Sequence, residues 1–542
     1  MVYTTSTKKR NSFVATFLLA YSVLTKFLFC IYSIRFDKVY IDTDGAIFYS
    51  IGKSLKNGYV LYKDIFDHKT PYIYFINMIA SCLDENHIGL FIIEIIVLFV
   101  TLYFIYKFLM IVFKSNWLIS LLGCILMSFV FTIPEITFLY SRTEAFAVMF
   151  IMPAFYIFAN YFVKESGEDL NEATTAKAEF STSNMFLIGV LAGLTFMTNI
   201  RAVILYVPFA IALFIKNLRA KRYASNFKSF VAGILGVFAS IIPYIIYMIL
   251  TNSYIEAYNA IIETNLLYGA SNVASNLGKF ETGIVFVSEN IAFYIFVLIS
   301  FVLVLIWKSD FYLKWSVSTS LIVAFIYVTF SNRTHIYYLV ILMPYFLSIY
   351  IAIVNLISKL VVKGDKKSNY SINKSSNIGS NSKFSGVLEA LIIIIAIVVA
   401  IINYGINSES IDNRYKNAIN RSSRISQIIT ENVGEIKDLN ILSFGFNPEV
   451  YVYLDTLPKY KYFIIPNVSY KRDNTPYNEQ ISYLKNENTD VVVYREGDVN
   501  NEFPRELRNI INLELNDNYT LLGKVRTNEI EGEYYIFARN KR

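Results

Sequence analysis

Between Tyr40 and Leu83 the chain gathers Asp42, Asp44, Asp67, His68 and Lys69 on one polar stretch. A carboxylate can accept the proton of an attacking hydroxyl or amine, and a lysine supplies a compact positive charge to a phosphate. The chain as a whole is 55% hydrophobic and only 17% charged, so this concentration marks a candidate reaction site. Similar residue types recur in later polar segments: His87, Glu135, Arg142, Glu144, Arg201, Arg333 and His335. Lysine as a point charge and arginine as a two-pronged donor together suit a phosphate group. Any one of them alone is more often an interfacial anchor or a loop charge.

The elements that must carry these residues are set by hydropathy. Apolar runs of about 20 residues recur along the 542-residue chain, each long enough to cross a hydrocarbon core of about 30 Å as a helix. The class is therefore a polytopic α-helical membrane protein. Spans are predicted at 13–34, 88–106, 117–133, 144–163, 185–198, 202–215, 229–250, 284–306, 315–330, 336–358 and 387–403, about eleven transmembrane helices. Lys8, Lys9 and Arg10 precede the first, which places the N-terminus in the cytoplasm and the loop 35–87 outside. The net charge of +7 comes from Lys and Arg in the short loops between apolar runs, where they set orientation, so nucleic acid is not an expected partner. Cys30, Cys82 and Cys124 lie in apolar runs without metal-type spacing and read as small core residues.

Residues 71–83 are apolar but span only about 20 Å as a helix, too little to cross. With this segment lying at the interface, predicted inner loops after the second span hold 17 Lys and Arg in 80 residues, and the outer loops opposite them 4 in 51. A crossing at 71–83 would invert that bias against the positive-inside rule. A second interfacial helix is predicted at 45–57, with Ile47, Phe48, Ile51 and Leu55 on one face and Lys53 and Lys56 turned away. Asp44 would stand just before its first turn. There it can cap the helix, act as a base, or do both, because capping bonds keep a carboxylate ionised and aimed. Asp42-Thr43-Asp44 also spells the D-x-D of metal-dependent nucleotide-sugar enzymes, but nucleotide sugars are cytoplasmic and this loop is predicted outside.

Residues 364–386 are rich in Ser, Asn and Lys and are expected to form a flexible cytoplasmic linker. From 406 to 542 the composition is that of a small extracytoplasmic α/β domain following the membrane domain 1–405. Strands are predicted at 441–446, 490–495, 519–525 and 534–539, with helices near 448–454, 477–486 and 504–512. No P-loop or Rossmann glycine pattern occurs.

Asp44 followed by Tyr49, the Gly58-Tyr59 turn, Tyr62-Lys63-Asp64 and Asp67-His68-Lys69-Thr70-Pro71 together resemble the first outer loop of GT-C-fold glycosyltransferases. The pattern is similar to the protein O-mannosyltransferase and lipid A aminoarabinose transferase superfamily. In that family a catalytic Asp opens one juxtamembrane helix and an acidic-Lys-Pro-Pro type motif opens a second. Asp44 corresponds to the first, and His68-Lys69-Thr70-Pro71 to the second. Glu144 corresponds to a second acidic residue at the outer start of a helix, and Arg333-Thr334-His335-Ile336-Tyr337-Tyr338 with Pro344 continues the likeness. His68 stands where an acidic residue often precedes the lysine, and 251–283 holds no histidine, so no metal ligands are assigned.

The resemblance implies transfer of a sugar from a polyprenyl-phosphate-linked donor to a glycan, lipid or protein acceptor at the outer face of the cell membrane. Asp44, assisted by Asp42, would be the base. Lys69, Arg201, Arg333 and His335 would hold the donor phosphate, Glu144 would lie on the acceptor side, and Tyr49, Asp67 and His68 would support the loop. A monophosphate leaving group paired with fixed cations need not require a metal, so no cofactor is expected to be required, with a divalent metal left open as the alternative. The alternative of another class is a transporter or lipid flippase, for which the repeat symmetry and midplane polar groups of secondary transporters are missing from the sequence. The topology makes the first prediction. Reporter fusions after Ile215 and Lys363 should be cytoplasmic and one after Asn407 external; an external reporter at 363 overturns the eleven-helix arrangement.

Overall fold

The structure is a computed structural model that describes residues 2–36, 43–83, 88–114, 116–131, 133, 142–165, 179–271, 276–331, 334–364, 382–445, 447–466, 468–526 and 533–540. Helix α1 (Val2–Phe36) is followed by two short helices, α2 (Thr43–Lys56) and α3 (Tyr72–Leu83), and then by α4 (Ile88–Val112), α5 (Trp117–Val130) and α6 (Thr143–Glu165). Next come α7 (Thr182–Thr198), a 3-10 segment (Ile200–Tyr206), α8 (Val207–Arg219) and α9 (Tyr223–Thr251). A helical arm with a π turn fills Tyr254–Ser271. Then follow α10 (Asn276–Glu289), α11 (Ile291–Ile306), α12 (Phe311–Thr329), a 3-10 segment (Ile336–Phe346), α13 (Leu347–Gly364) and α14 (Ser382–Asn432).

Seven helices among the described residues are long and apolar enough to cross a membrane, and eight if the bent pair α10–α11 counts as one. The expected spans 117–133, 185–198 and 387–403 correspond to shorter apolar helices, Trp117–Val130, Thr182–Thr198 and Ala390–Ile406. The expected span 284–306 is not one straight helix. It bends by 97° at Asn290, whose φ of −116° and ψ of 30° leave the helical region and whose side-chain amide donates back to the Phe286 carbonyl. A polar Ser288-Glu289-Asn290 step inside an apolar run had signalled nothing about direction, only about polarity.

The apolar run beginning at Ala390 continues without a break into polar sequence, because α14 runs for 51 residues as one helix. The expected division at 405/406 falls inside it. Of the expected linker, 365–381 lies outside the described residues, while Gly364 and 382–386 are helical. Cys82 is exposed rather than a core residue, and Cys124 is buried with its thiol near the Leu102 carbonyl; the Cys30 side chain lies outside the described residues.

The C-terminal domain is a mixed sheet of β1 (Ile441–Phe444), β2 (Val491–Arg495), β3 (Tyr519–Val525) and β4 (Tyr534–Arg539) in the order β1-β2-β4-β3. Only β1 and β2 are parallel; β4 runs antiparallel to both its neighbours, and a bulge interrupts β3 between Leu521 and Gly523. Strand alternation sorts the side chains. Val491, Val493 and Ile536 pack with Ile425, Ile428 and Ile429 of α14 and with Val450 of α15 (Glu449–Tyr453). Leu442, Phe444 and Val492 pack on the other face with α16 (Thr475–Lys485) and α18 (Arg505–Asn518); α17 (Glu496–Glu502) directly precedes α18.

The pair α2–α3 carries the loop that holds the candidate site. At 12 residues α3 is about 18 Å long, too short to cross. Ile47, Phe48, Ile51 and Leu55 of α2 pack with Ile73 and Tyr74 of α3, and with Tyr451, Phe463 and Ile464 of the C-terminal domain. Backbones approach closely at Gly52, where an added Cβ would stand 2.5 Å from the Asn77 carbonyl carbon. Overpacking of this kind costs about 1–3 kcal/mol. Gly52→Val should therefore lower the melting temperature of the detergent-purified protein, whereas Gly405→Val, with nothing within 4 Å of the new Cβ, should leave it near wild type. Equal melting of the two variants would count against the close packing of α2 on α3.

Candidate active site

Helix ends bring the charged residues together. Asp44 is the second residue of α2, inside its first turn rather than before it, since the helix already begins at Thr43. Its carboxylate accepts from Arg142 Nη1 at 2.5 Å. Arg142 immediately precedes α6, and its guanidinium lies on the face of Tyr337, 4.1 Å from the ring centroid. Tyr337 in turn stacks on His335, with ring centroids 5.0 Å apart and planes 7° from parallel, and meets Tyr338 edge-on at 5.0 Å. A positive side chain sandwiched this way keeps its charge and loses its freedom to swing.

The chain of contacts continues from Tyr338. Its hydroxyl accepts from Arg201 Nη2 at 3.0 Å, while Arg201 Nη1 donates to Ser331 Oγ at 2.7 Å. Tyr327 and Tyr338 flank the same guanidinium, each ring centroid 5.1 Å away. Glu144, in the first turn of α6, is buried and accepts from Asn199 Nδ2 and from Thr143 Oγ1, each at 3.0 Å. Asn199 stands between α7 and the 3-10 segment and uses its Oδ1 to accept from the Ala202 amide at 3.3 Å and the Tyr327 hydroxyl at 3.4 Å. The ends of α2, α6, α7 and α12 and the starts of both 3-10 segments thus meet around one set of charges.

Lys69 lies in the turn between α2 and α3. Its backbone is fixed on both sides: the carbonyl accepts from the Tyr62 hydroxyl at 2.6 Å and the amide donates to the Tyr74 hydroxyl at 3.2 Å. Asn265 Nδ2 holds the neighbouring His68 carbonyl at 2.6 Å. Tyr62 itself sits at a φ of +64°, an uncommon value for a residue with a side chain, and the turn closes with its amide on the Ile65 carbonyl at 2.9 Å.

Asp67 is buried beneath this turn, accepting from the Tyr74 hydroxyl at 2.7 Å and lying 3.0 Å from His68 Nδ1. Burial alone would push its carboxyl up. The charge and hydrogen bond of His68, the Lys69 charge and the Tyr74 hydroxyl outweigh that and hold it below the ordinary carboxylate range. Asp67 and His68 therefore shape the loop that presents Lys69. Tyr49 points the other way, into packing with Ala46, Ala80, Leu90 and Val452.

Of the residues singled out in the sequence, Asp44, Glu144, Arg201 and His335 converge, while Asp67 and His68 shape the loop that carries Lys69, and Tyr49 packs away from the set. Asp42, Arg333, His87 and Glu135 lie outside the described residues. Sequence reasoning did not single out Asn199, Tyr327, Tyr337, Tyr338 or Tyr74 as site residues, and it ranked Arg142 only as one cation among several. The paired tyrosines after His335 and the Asn two residues before Arg201 were the available signals. Among the described residues no group of three or more His, Cys, Asp and Glu side chains gathers as metal ligands would.

No protein-family model and no curated protein matches the sequence. Solved structures match the fold. The crystal structure of ArnT from Cupriavidus metallidurans bound to undecaprenyl phosphate is 9% identical with a TM-score of 0.56, over 96% of this chain and 97% of that one. ArnT from the same organism in the apo state gives 10% identity and a TM-score of 0.50 over 92% and 94%. The Archaeoglobus fulgidus oligosaccharyltransferase tethered with an acceptor peptide gives 14% and 0.47, over 97% of this chain and 74% of that one. The ArnT likeness runs nearly end to end over both chains and at this identity concerns the fold alone: the chain is folded like ArnT.

The buried carboxylate makes a prediction with a definite sign. A carboxyl held below its unfolded value contributes stability that is fully present above the unfolded pKa of about 3.9 and is lost as pH falls through the lower folded value. Asp67→Asn should thus be less stable than wild type near pH 7, by about 3–5 kcal/mol if it behaves as a broken buried pair. The gap should narrow once the pH drops below about 4. A difference in detergent melting temperature that is unchanged between pH 7 and pH 2 would contradict the assignment of the shift to an ionised Asp67.

Proposed function

We propose that the chain is an inverting membrane glycosyltransferase that moves a sugar from a polyprenyl-phosphate-linked donor to an acceptor hydroxyl or amine at the outer face of the membrane. The observation that carries the reading is the convergence of one accessible carboxylate, Asp44, with Arg142 and Arg201 at the helix ends of an ArnT-like fold. ArnT itself has been solved with undecaprenyl phosphate bound, and a lipid monophosphate of that kind is the group the cations here would suit.

In the proposed reaction the acceptor oxygen or nitrogen attacks the anomeric carbon from the side opposite the phosphate. The bond between that carbon and the phosphate oxygen breaks, polyprenyl phosphate departs, and the acceptor's proton passes to Asp44. Arg142 holds the Asp44 carboxylate in place before attack. Lys69 and Arg201, with Arg333 and His335 as further candidates, stabilise the charge that grows on the leaving phosphate. Glu144 is enclosed by Thr143 and Asn199 and serves the acceptor side. The cations themselves supply the electrophilic assistance, so the reaction is written without a metal. Donor and acceptor both reach the site from the outer face, which assigns the C-terminal domain to that face as well.

A transporter reading would need the charges to line a path through the bilayer. The ion pair observed within the spans, Lys26 Nζ with Glu94 Oε2 at 2.9 Å, is buried between α1 and α4 and joins two helices, as a structural tie does.

Turnover can be read without knowing the acceptor, as release of free polyprenyl phosphate from undecaprenyl-phosphate-linked sugars in membrane vesicles carrying the full-length protein and their native acceptors. Asp44→Asn should lower that release by about 10²- to 10⁴-fold, the usual worth of a general base, while the protein remains folded. Lys69→Ala and Arg333→Ala should weaken donor use. The base is Asp42 instead if Asp42→Asn abolishes release and Asp44→Asn does not, and the assignment of cations fails if both alanine variants release at the wild-type rate.

A further inference from the structure

The C-terminal domain touches the first turn of α2. Glu449, the first residue of α15, accepts a hydrogen bond through Oε1 from the hydroxyl of Thr43, the residue directly before Asp44. At the other end of the same helix Lys53 Nζ meets Asp455 Oδ1 at 2.5 Å. Between the two, Tyr451 of α15 is buried among Ile47, Phe48 and Ile51. The loop behind is tied as well, since the Phe66 amide donates to the Lys461 carbonyl at 3.0 Å and the Phe66 and Tyr462 rings lie 5.0 Å apart.

We propose that Glu449 is a positioning residue: its carboxylate fixes the Thr43 hydroxyl and so sets the first turn of α2, which aims the Asp44 carboxylate at Arg142 and at the incoming acceptor. The inference rests on the reading of Asp44 as the base.

The physical argument is one of freedom. The first turn of a helix has no hydrogen bonds from its own amides to earlier carbonyls, and it frays unless something outside holds it. Here Arg142 holds Asp44 from the α6 side, and Glu449 holds Thr43 from the C-terminal domain. Ala46 anchors the turn by packing with Ala80, Leu90 and Val452, and the two polar ties on the adjoining residues set the orientation of the carboxylate that the turn carries. Orientation of a reacting group within about 1 Å can be worth up to about 10²-fold in rate. The contact at the far end differs in kind. Asp455 is 72% exposed, and an ion pair of that sort contributes little to stability or geometry.

The test uses the full-length protein in the vesicle assay of polyprenyl phosphate release. Glu449→Ala and Thr43→Val should each lower the maximal rate about tenfold, with the donor concentration for half-maximal rate unchanged, and the double variant should fall no further than either alone. Glu449→Gln keeps an oxygen that accepts from Thr43 and should release at close to the wild-type rate. Asp455→Ala, which removes a charge from the same interface, should also leave the rate unchanged. Combined with Asp44→Asn, Glu449→Ala should produce no further loss, because a group that acts only by aiming Asp44 has nothing left to aim. The proposal is overturned if Glu449→Ala lowers the residual rate of Asp44→Asn, if Asp455→Ala costs as much as Glu449→Ala, or if Thr43→Val is silent. Should Asp44→Asn itself retain full release, the base assignment fails and the positioning role falls with it. A deficient Asp44→Asn beside fully active Glu449→Ala and Thr43→Val overturns the positioning role alone.

Discussion

The ion pair between Asp44 and Arg142 joins two parts of the molecule that share few other reasons to be in register. Asp44 belongs to a short helix outside the apolar bundle, and Arg142 stands at the entrance of a helix that is apolar for most of its length. Charge cannot be carried into that bundle cheaply, so ionisable groups collect where the helices end. Once Arg142 is pinned there by the Tyr337 ring, one carboxylate ties the start of α2 to the start of α6, beside the apolar packing of Ile47 and Phe48 in the cluster that includes Phe146. Arg201 repeats the device between Tyr327 and Tyr338. Aromatic faces thus do for the cations what backbone amides do for anions elsewhere, holding charge in a fixed place without neutralising it.

Much of this architecture was legible from local pattern. Four strands were readable from β-branched and aromatic runs such as Val491-Val492-Val493, and α2 and α3 from amphipathic spacing and a length too short to cross. The direction of the chain at Asn290 was not legible, because hydropathy reports whether a segment is apolar and says nothing about a 97° turn within it. The same limit hid the continuity of α14. Composition changes near Asn407, but the backbone hydrogen bonding of a helix is indifferent to that change, and the helix runs on to Asn432.

For the site, the ionisable residues were recoverable and the neutral ones were not. Asp44, Glu144 and Arg201 stand out in an apolar chain because charge is rare there. Tyr337 and Tyr338 do not, in a chain with 42 tyrosines, and only the fold shows that they sort Arg142 from Arg201. Asp67 was read with the right neighbours and a less specific role. Its depth and its bond to the Tyr74 hydroxyl, which no spacing rule reports, make it the foundation of the Lys69 loop.

Three carboxylates therefore lie within or beside the same site, and their surroundings separate what each can do. Asp67 is enclosed, bonded to a phenol and paired with an imidazole, so neither oxygen is presented to an incoming group. Glu144 is nearly as deep and has each oxygen engaged, one by Thr143 and one by Asn199. Asp44 is different: its side chain keeps 25% of its exposure and has Arg142 on Oδ2. A base must be ionised, oriented and still reachable. The arginine secures the orientation from one side while the remaining exposure meets the condition of reach. On that physical ground the proton-accepting role we propose falls to Asp44 rather than to either of the two deeper carboxylates, whose oxygens are already engaged.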